Sequence, residues 1–271
     1  MRFLCLSFVF CIALNGPVWS HEFWIEPEQY QVEADGTITA HLRNGEEFKG
    51  ISLGWFERRF TRFEIVQGDK VRPVQARMGD TPALDIGAGQ PGLAVILHET
   101  TPSKITYRDW EKFMRFVRHK DFTDAVAIHE EEGWSKEIFR ESYTRHAKAL
   151  VAVDDGAGSD RAFGLATEFV ALTNPYAPDF DGTMIVRVLY NGAPRPNVQV
   201  EVFEKAAGAE ANITLHRTDA SGVAHIPVKR GYAYLFDAVV LRRSAKAGEE
   251  ENAPVWDTLW AALTFEVPNR P

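Results

Sequence analysis

From Phe23 onward the chain is cut into short stretches in which apolar and polar residues alternate, with glycine, proline, asparagine or aspartate between them. A period of two sends successive side chains to opposite faces of a sheet, so such a chain buries its apolar set as strands of a layered β fold. In GTITAHLRNGEEF, Ile38, Ala40 and Leu42 alternate with Thr37, Thr39, His41 and Arg43, and Asn44-Gly45 reads as the turn. GLAVILHET is apolar on both alternating sets, the pattern of a buried central strand that ends at His98. Alternation returns in TMIVRVLY, NVQVEVFE, NITLHRT, VAHIPV, YAYLFDAVVLRR and LWAALTFEV, with turns at Asn191-Gly192, Pro194 to Pro196 and Asp219 to Gly222. Closely spaced short strands of this kind predict an immunoglobulin-like sandwich.

The middle of the chain has another period. Trp110, Phe113, Met114 and Val117 predict a helix over Asp109 to Lys120. Phe139, Tyr143, His146 and Leu150 predict a second over Ser135 to Leu150, with a shorter helical piece around Asp121 to Glu131 between them. The expected fold class is therefore mainly β: two immunoglobulin-like β-sandwich domains, residues 21–176 and 177–271, the first with a helical insertion over about 109–150.

The first twenty residues read as an export signal: Arg2, an apolar run from Phe3 to Leu14, the breaker pair Gly16 and Pro17, then Val18 and Ser20 at the recognition positions. That run is shorter than the roughly 20 residues of a membrane span, and no later segment is long and apolar enough to be one. Cleavage before His21 predicts a periplasmic protein that opens on a free histidine. Both cysteines, Cys5 and Cys11, leave with the signal, so the core must hold without disulfides. The processed chain keeps 29 of 30 basic residues and all 38 acidic ones, a net charge of −9. Such a balance excludes nucleic acid as a partner, because neutralising phosphates requires clustered Lys and Arg.

A terminal histidine offers two nitrogen donors from one residue, its α-amine and its ring, which can close a chelate on Cu(II) and, less selectively, on Ni(II) or Zn(II); copper, nickel or cobalt is the expected ion. The amine pKa of about 8 keeps its deprotonation inexpensive near neutral pH. FWIEP follows directly and predicts a strand that anchors the terminus. One more imidazole would complete a histidine brace, and His98, at the end of its buried strand, is the candidate; the alternative is a core histidine bonded to a carbonyl. His129, beside Glu130, Glu131 and Glu132, either joins the site or belongs to a solvated acidic face. Glu22 or Glu26 could add a carboxylate. His146 reads as a core residue, and His41 and His119 as exposed. If Asp219 to Gly222 closes a hairpin, His216 opposes His225 across it. Asp154, Asp155 and Asp160 in VDDGAGSD suggest a calcium-type loop, without EF-hand spacing. The sequence holds no phosphate-binding glycine loop, nucleophile elbow or HExxH, and the processed chain holds no cysteine nucleophile.

HEFWIEP after the signal, RESYTRHAKALV, GLATEFVALTNPY, TDASGVAHIPV and LWAALTFEV together resemble a family of bacterial periplasmic proteins of unknown function labelled NikM-like components of nickel or cobalt uptake. The resemblance runs over nearly all of the processed chain and is most specific at His21, Glu22, Phe23 and Trp24 with Glu26 and Pro27. It implies a divalent transition metal as ligand, an inner-membrane metal transporter as partner, and His21 as the terminal donor. Where many relatives place a histidine in the last hairpin, this chain has Val240, which weakens a metal site in the C-terminal half. The C-terminal module also resembles the carboxypeptidase-regulatory type.

The expected function is thus non-enzymatic transition-metal binding through His21, with His98 and His129 as further ligands. Two alternatives stand beside it. A copper brace on a sandwich is the active site of lytic polysaccharide monooxygenases, and a metal-free pair of β modules would serve adhesion or assembly.

Overall fold

The computed structural model describes residues 21–269; the expected signal, residues 1–20, lies outside them. The chain runs through β1 (Glu22–Pro27), β2 (Gln31–Val32), β3 (Thr37–Glu46), β4 (Lys49–Leu53), β5 (Phe60–Gln67) and β6 (Lys70–Pro73). It continues through β7 (Leu84–Gly87), β8 (Gly92–Thr100), β9 (Ser103–Tyr107), α1 (Trp110–His119) and α2 (Ala125–Glu131). There follow β10 (Phe139–Val153), β11 (Thr167–Ala171), β12 (Thr183–Tyr190), β13 (Ala193–Pro194) and β14 (Gln199–Ala206). The last four are β15 (Asn212–Arg217), β16 (Val223–Pro227), β17 (Tyr232–Arg243) and β18 (Trp256–Glu266).

The fold is mainly β, as the alternation requires, and its sheets stack in three layers. The middle layer is a ten-stranded sheet in the order β15-β14-β17-β18-β10-β8-β5-β6, with β2 and β9 also paired to β10. One outer layer is β1-β3-β4 with β7, and the other is β11-β12-β13 with β16. Because side chains alternate along each central strand, each face of the middle sheet carries its own core. Ala147, Ala149, Leu235 and Ala262 face β1 and β3, where Trp24, Ile25, Ile38 and Leu42 meet them. Leu150, Phe236, Ala261, Leu263 and Phe265 face the other way, onto Phe169, Met184, Val186 and Ile226. Two sandwich cores are present, and they share one sheet. That sheet crosses the chain boundary at 176/177, because β10 pairs in parallel with β18 from Glu141↔Trp256 to Ala149↔Thr264.

The helical insert is shorter than its period suggests. α1 forms where expected, started by the Asp109 carboxylate, which accepts from the Glu111 N–H at 2.9 Å. α2 falls within the short helical piece. Residues 135–150 are not a helix: most of them belong to β10, a fifteen-residue strand buried on both faces over its last nine positions. The i, i+4, i+7, i+11 set is satisfied there by coincidence, since a strand buried on both sides also reads as densely apolar. Both helices pack beside β1–β4 on the same face of the central sheet, over Tyr107, Phe139, Trp256 and Trp260.

The first hairpin also turns elsewhere. β3 runs through Asn44-Gly45, and the two-residue turn is Glu47-Phe48, with φ of 53° and 58°. Phe48 is buried and meets Trp24 edge-on at 5.5 Å, so tertiary packing selects this residue in a left-handed turn over the Asn-Gly pair. Gly50 is required nearby, because a Cβ there would lie 2.5 Å from the Asn44 carbonyl oxygen and 2.9 Å from the Trp24 ring. Asn191-Gly192 does form the expected tight turn, with φ of 50° and 77° and Tyr190 paired to Ala193.

Candidate functional site

His21 precedes β1, which pairs with β3 from Glu22↔Gly45 to Pro27↔Ala40. Two contacts restrain it. Arg145, from β10, donates through Nη2 to the His21 carbonyl at 2.6 Å, and the His21 ring Nε2 lies 3.2 Å from Glu46 Oε1. The imidazole is otherwise half-exposed. A carboxylate at Nε2 favours the tautomer that carries its proton there, which leaves Nδ1 as the basic nitrogen on the main-chain side of the ring. That nitrogen and a free α-amine on the same residue would form one chelate.

The three histidines singled out by sequence are not gathered at one point. His98 is buried among phenyl rings, with Phe63, Phe23 and Phe60 at 4.9, 5.1 and 5.5 Å between centroids. Burial pushes its pKa down to about 3, so the ring is neutral, and its Nδ1 has no hydrogen-bond partner. His129 lies in the separate helical core: Trp256 Nε1 donates to its Nδ1 at 3.1 Å, and its Nε2 sits 3.2 Å from the Ser135 carbonyl. Both nitrogens are engaged, and Trp110, Trp134 and Phe139 surround the ring, so it is neither a free ligand nor part of a solvated acidic face. Among the described residues, no group of three or more His, Cys, Asp or Glu side chains is arranged to hold a metal ion.

The remaining candidates resolve individually. His146 is buried as expected, but on a strand, with Nδ1 3.3 Å from the Trp260 carbonyl and Nε2 3.4 Å from Glu99. His41 and His119 are only partly exposed, lying 3.0 Å from Glu28 and 3.0 Å from Glu201 respectively. His216 and His225 do not pair: His216 opposes Val200 in the central sheet, whereas His225 opposes Ile185 in an outer one. The Asp219 to Gly222 connection passes between layers rather than closing a hairpin. In VDDGAGSD the carboxylates serve the protein: Asp154 accepts from the Ala34 N–H, Asp155 from the Ala157 N–H, and Asp160 binds the buried Lys148 ammonium at 2.8 Å. A shared calcium site is not formed.

Behind His21 lies a feature that the sequence reading missed. Between the β1–β4 core and the helical core, the central sheet presents Arg145, with Glu201 and Asp237 at positions that are apolar on either side, as in Leu235-Phe236-Asp237-Ala238-Val239. Lys120, the residue after α1, reaches in and places its ammonium 2.5 Å from Glu201 and 2.8 Å from Asp237, which oppose each other directly across β14 and β17. Glu22, on β1 of the outer layer, is buried close enough to feel these charges. Burial pushes its carboxyl up to about 8 against the pull of Lys120, whereas His119 and Lys120 overcome burial at Glu201 and hold it down at about 2. Buried carboxylates 3% exposed survive because the ammonium between them offsets both charges. The available signal was Asp237, an acid inside the long apolar run YAYLFDAVVL.

The arrangement as a whole is a restrained His21 beside a buried ionic seam. Among solved structures, the D0-D1 domain of Intimin aligns with 89% of this chain and 97% of its own at 12% identity, with a TM-score of 0.23. A tetra-tandem repeat in the extending region of a large adhesion protein aligns with 90% of this chain and 49% of its own, at 10% identity and a TM-score of 0.21. At such scores the likeness carries no argument, and the sandwich architecture rests on the sheets themselves. No curated protein matches the chain. A family model described as a domain of unknown function, DUF4198, matches residues 18–242, and the chain belongs to that family.

Proposed function

We propose that this is an exported, non-enzymatic protein of the periplasm that captures a divalent transition-metal ion, copper, nickel or cobalt, at its processed amino terminus. His21 supplies the α-amine and Nδ1, and Glu46 orients the ring from Nε2. The supporting observation is the double restraint on residue 21, with its carbonyl held by Arg145 at 2.6 Å and its ring by Glu46 at 3.2 Å. A terminus fixed in this way loses less freedom on chelation than a frayed one. Two protein nitrogens leave coordination positions for water or for a receiving partner's ligands, which suits an ion handed onward. A NikM-like role beside an inner-membrane nickel or cobalt transporter belongs to this proposal. His98 lends no support to the copper-oxidase alternative, because its ring is enclosed by phenyl groups rather than offered to His21.

The test is calorimetric titration of Cu(II), Ni(II) and Co(II) into protein that begins at His21 and into the same protein with a methionine before it. The expected result is a loss of at least about a hundredfold in affinity on blocking the amine. Glu46→Gln should cost about tenfold, as loss of an orienting carboxylate does. Equal affinities for the two termini would overturn the proposal.

A further inference from the structure

A cleft of about 380 Å³ opens between the β3–β4 hairpin, the start of β5, the end of β8 and the first half of β10, and Arg145, which holds the His21 carbonyl, lines it. Its apolar wall is Phe23, Phe56, Phe60 and Tyr143, and its charged groups are Arg59 and Arg145. Among the described residues lining it there is no aspartate or glutamate, although the chain as a whole carries eight more acidic than basic residues. Two other hollows of similar size differ: one contains Glu26, Glu28 and Glu266, the other Asp69.

Two buried polar side chains on this wall are incompletely satisfied. Arg145 is 8% exposed and His98 2%, and both line the cleft. Arg145 Nη1 and His98 Nδ1 have no hydrogen-bond partner among the described residues. Leaving such groups unpaired costs free energy that a suitably placed acceptor would recover. The Arg145 guanidinium lies 3.9 Å from the Trp260 ring centre and 5.3 Å from that of Tyr143, so its plane is set before any ligand arrives.

We propose that this cleft binds a small organic carboxylate with an aromatic or branched apolar body. The carboxylate pairs with Arg145, with Arg59 adding positive charge, and the body lies among Phe23, Phe56, Phe60 and Tyr143. The volume suits a ligand about the size of an arylacetate. A free amino acid is disfavoured, because its ammonium would meet two arginines and no carboxylate. The site shares Arg145 with the restraint on the His21 carbonyl but takes neither of the two nitrogen donors, the amine and ring of His21, that the metal reading uses.

The experiment is calorimetry on the protein beginning at His21, in metal-free buffer, with phenylacetate, indole-3-acetate and 4-methylvalerate as probes and phenylacetamide and phenylalanine as controls. At least one acid should bind at least about tenfold more tightly than phenylacetamide, with phenylalanine weaker still. The imidazole resonances of His98 should shift on binding, which places the ligand. Arg59→Gln, on an exposed side chain, should weaken binding severalfold without changing Tm. Binding that ignores the ligand's charge, a His98 signal that does not move, or failure of all three acids at millimolar concentration would overturn the proposal. The methionine-prefixed protein separates the two readings: it should lose metal affinity and keep acid binding.

Discussion

At the scale of single residues, environment rather than residue type decides what each candidate does. His21, His98 and His129 are the same side chain in three settings: one half-exposed beside a carboxylate, one neutral in a phenyl cage, one held at both nitrogens in a tryptophan-lined core. Only the first was singled out by its position in the chain, directly after the expected export signal; burial of the other two depends on strands and helices distant from them. Glu22 gives a direct test of the ionic seam. Its carboxyl is raised from 4.5 to about 8, so the folded chain holds its proton more tightly than the unfolded chain does. The stability this gives is complete below pH 4.5 and is lost as pH rises through about 8. Glu22→Gln cannot ionise, so its unfolding free energy relative to the wild type should rise between about pH 4.5 and 8, with a limiting slope of about 1.4 kcal/mol per pH unit, and its relative Tm should rise with it. Thermal melts across that range check it, and a difference between the two proteins that stays constant with pH would refute the assignment.

At the scale of elements, β10 is the case where local pattern and final structure part. Phe139, Tyr143, His146 and Leu150 fit a helical face, yet β10 pairs with β18, β8, β9 and β2, and that set of partners fixes it as a strand. Periodicity within one segment cannot register partners a hundred residues away. α1 was legible because its cap and its apolar face are both local. It holds the helical core through Phe113, which is wholly buried against Tyr107, Phe139 and Trp256. Phe113→Ala should cost about 3–5 kcal/mol of stability. Because that cluster is distinct from the two sandwich cores, amide exchange should accelerate first in α1 and α2, while β5 and β8 keep their protection. Uniform loss of protection along the chain would contradict a separate helical core.

At the scale of the whole molecule, the shared central sheet has a thermodynamic consequence. The strands before residue 176 and those after it meet along β10 and β18, and Thr264 Oγ1 donates to the Ile25 carbonyl at 2.6 Å, tying the last strand to the first. Calorimetry should therefore show a single transition, with calorimetric and van't Hoff enthalpies in agreement. A fragment ending at residue 176 should lose the near-ultraviolet signal of its aromatic cores, since it exposes the β10 edge and loses three of the four strands of the layer that contains Phe169. Two resolved transitions, or a fragment that folds alone, would show that the halves are independent. The sequence by itself determined that this chain is β-rich and that α1 forms, and it raised the expectation that His21 leads the processed chain. The first two follow from a period of two and a local cap, and the expectation follows from a signal-like pattern, each contained within a few adjacent residues. Tertiary structure alone decided that two cores share a sheet, that Lys120 lies between Glu201 and Asp237, and that Arg145 and Glu46 restrain His21. Each of these joins segments far apart in the chain, and only the free energy of the assembled layers selects among their possible pairings.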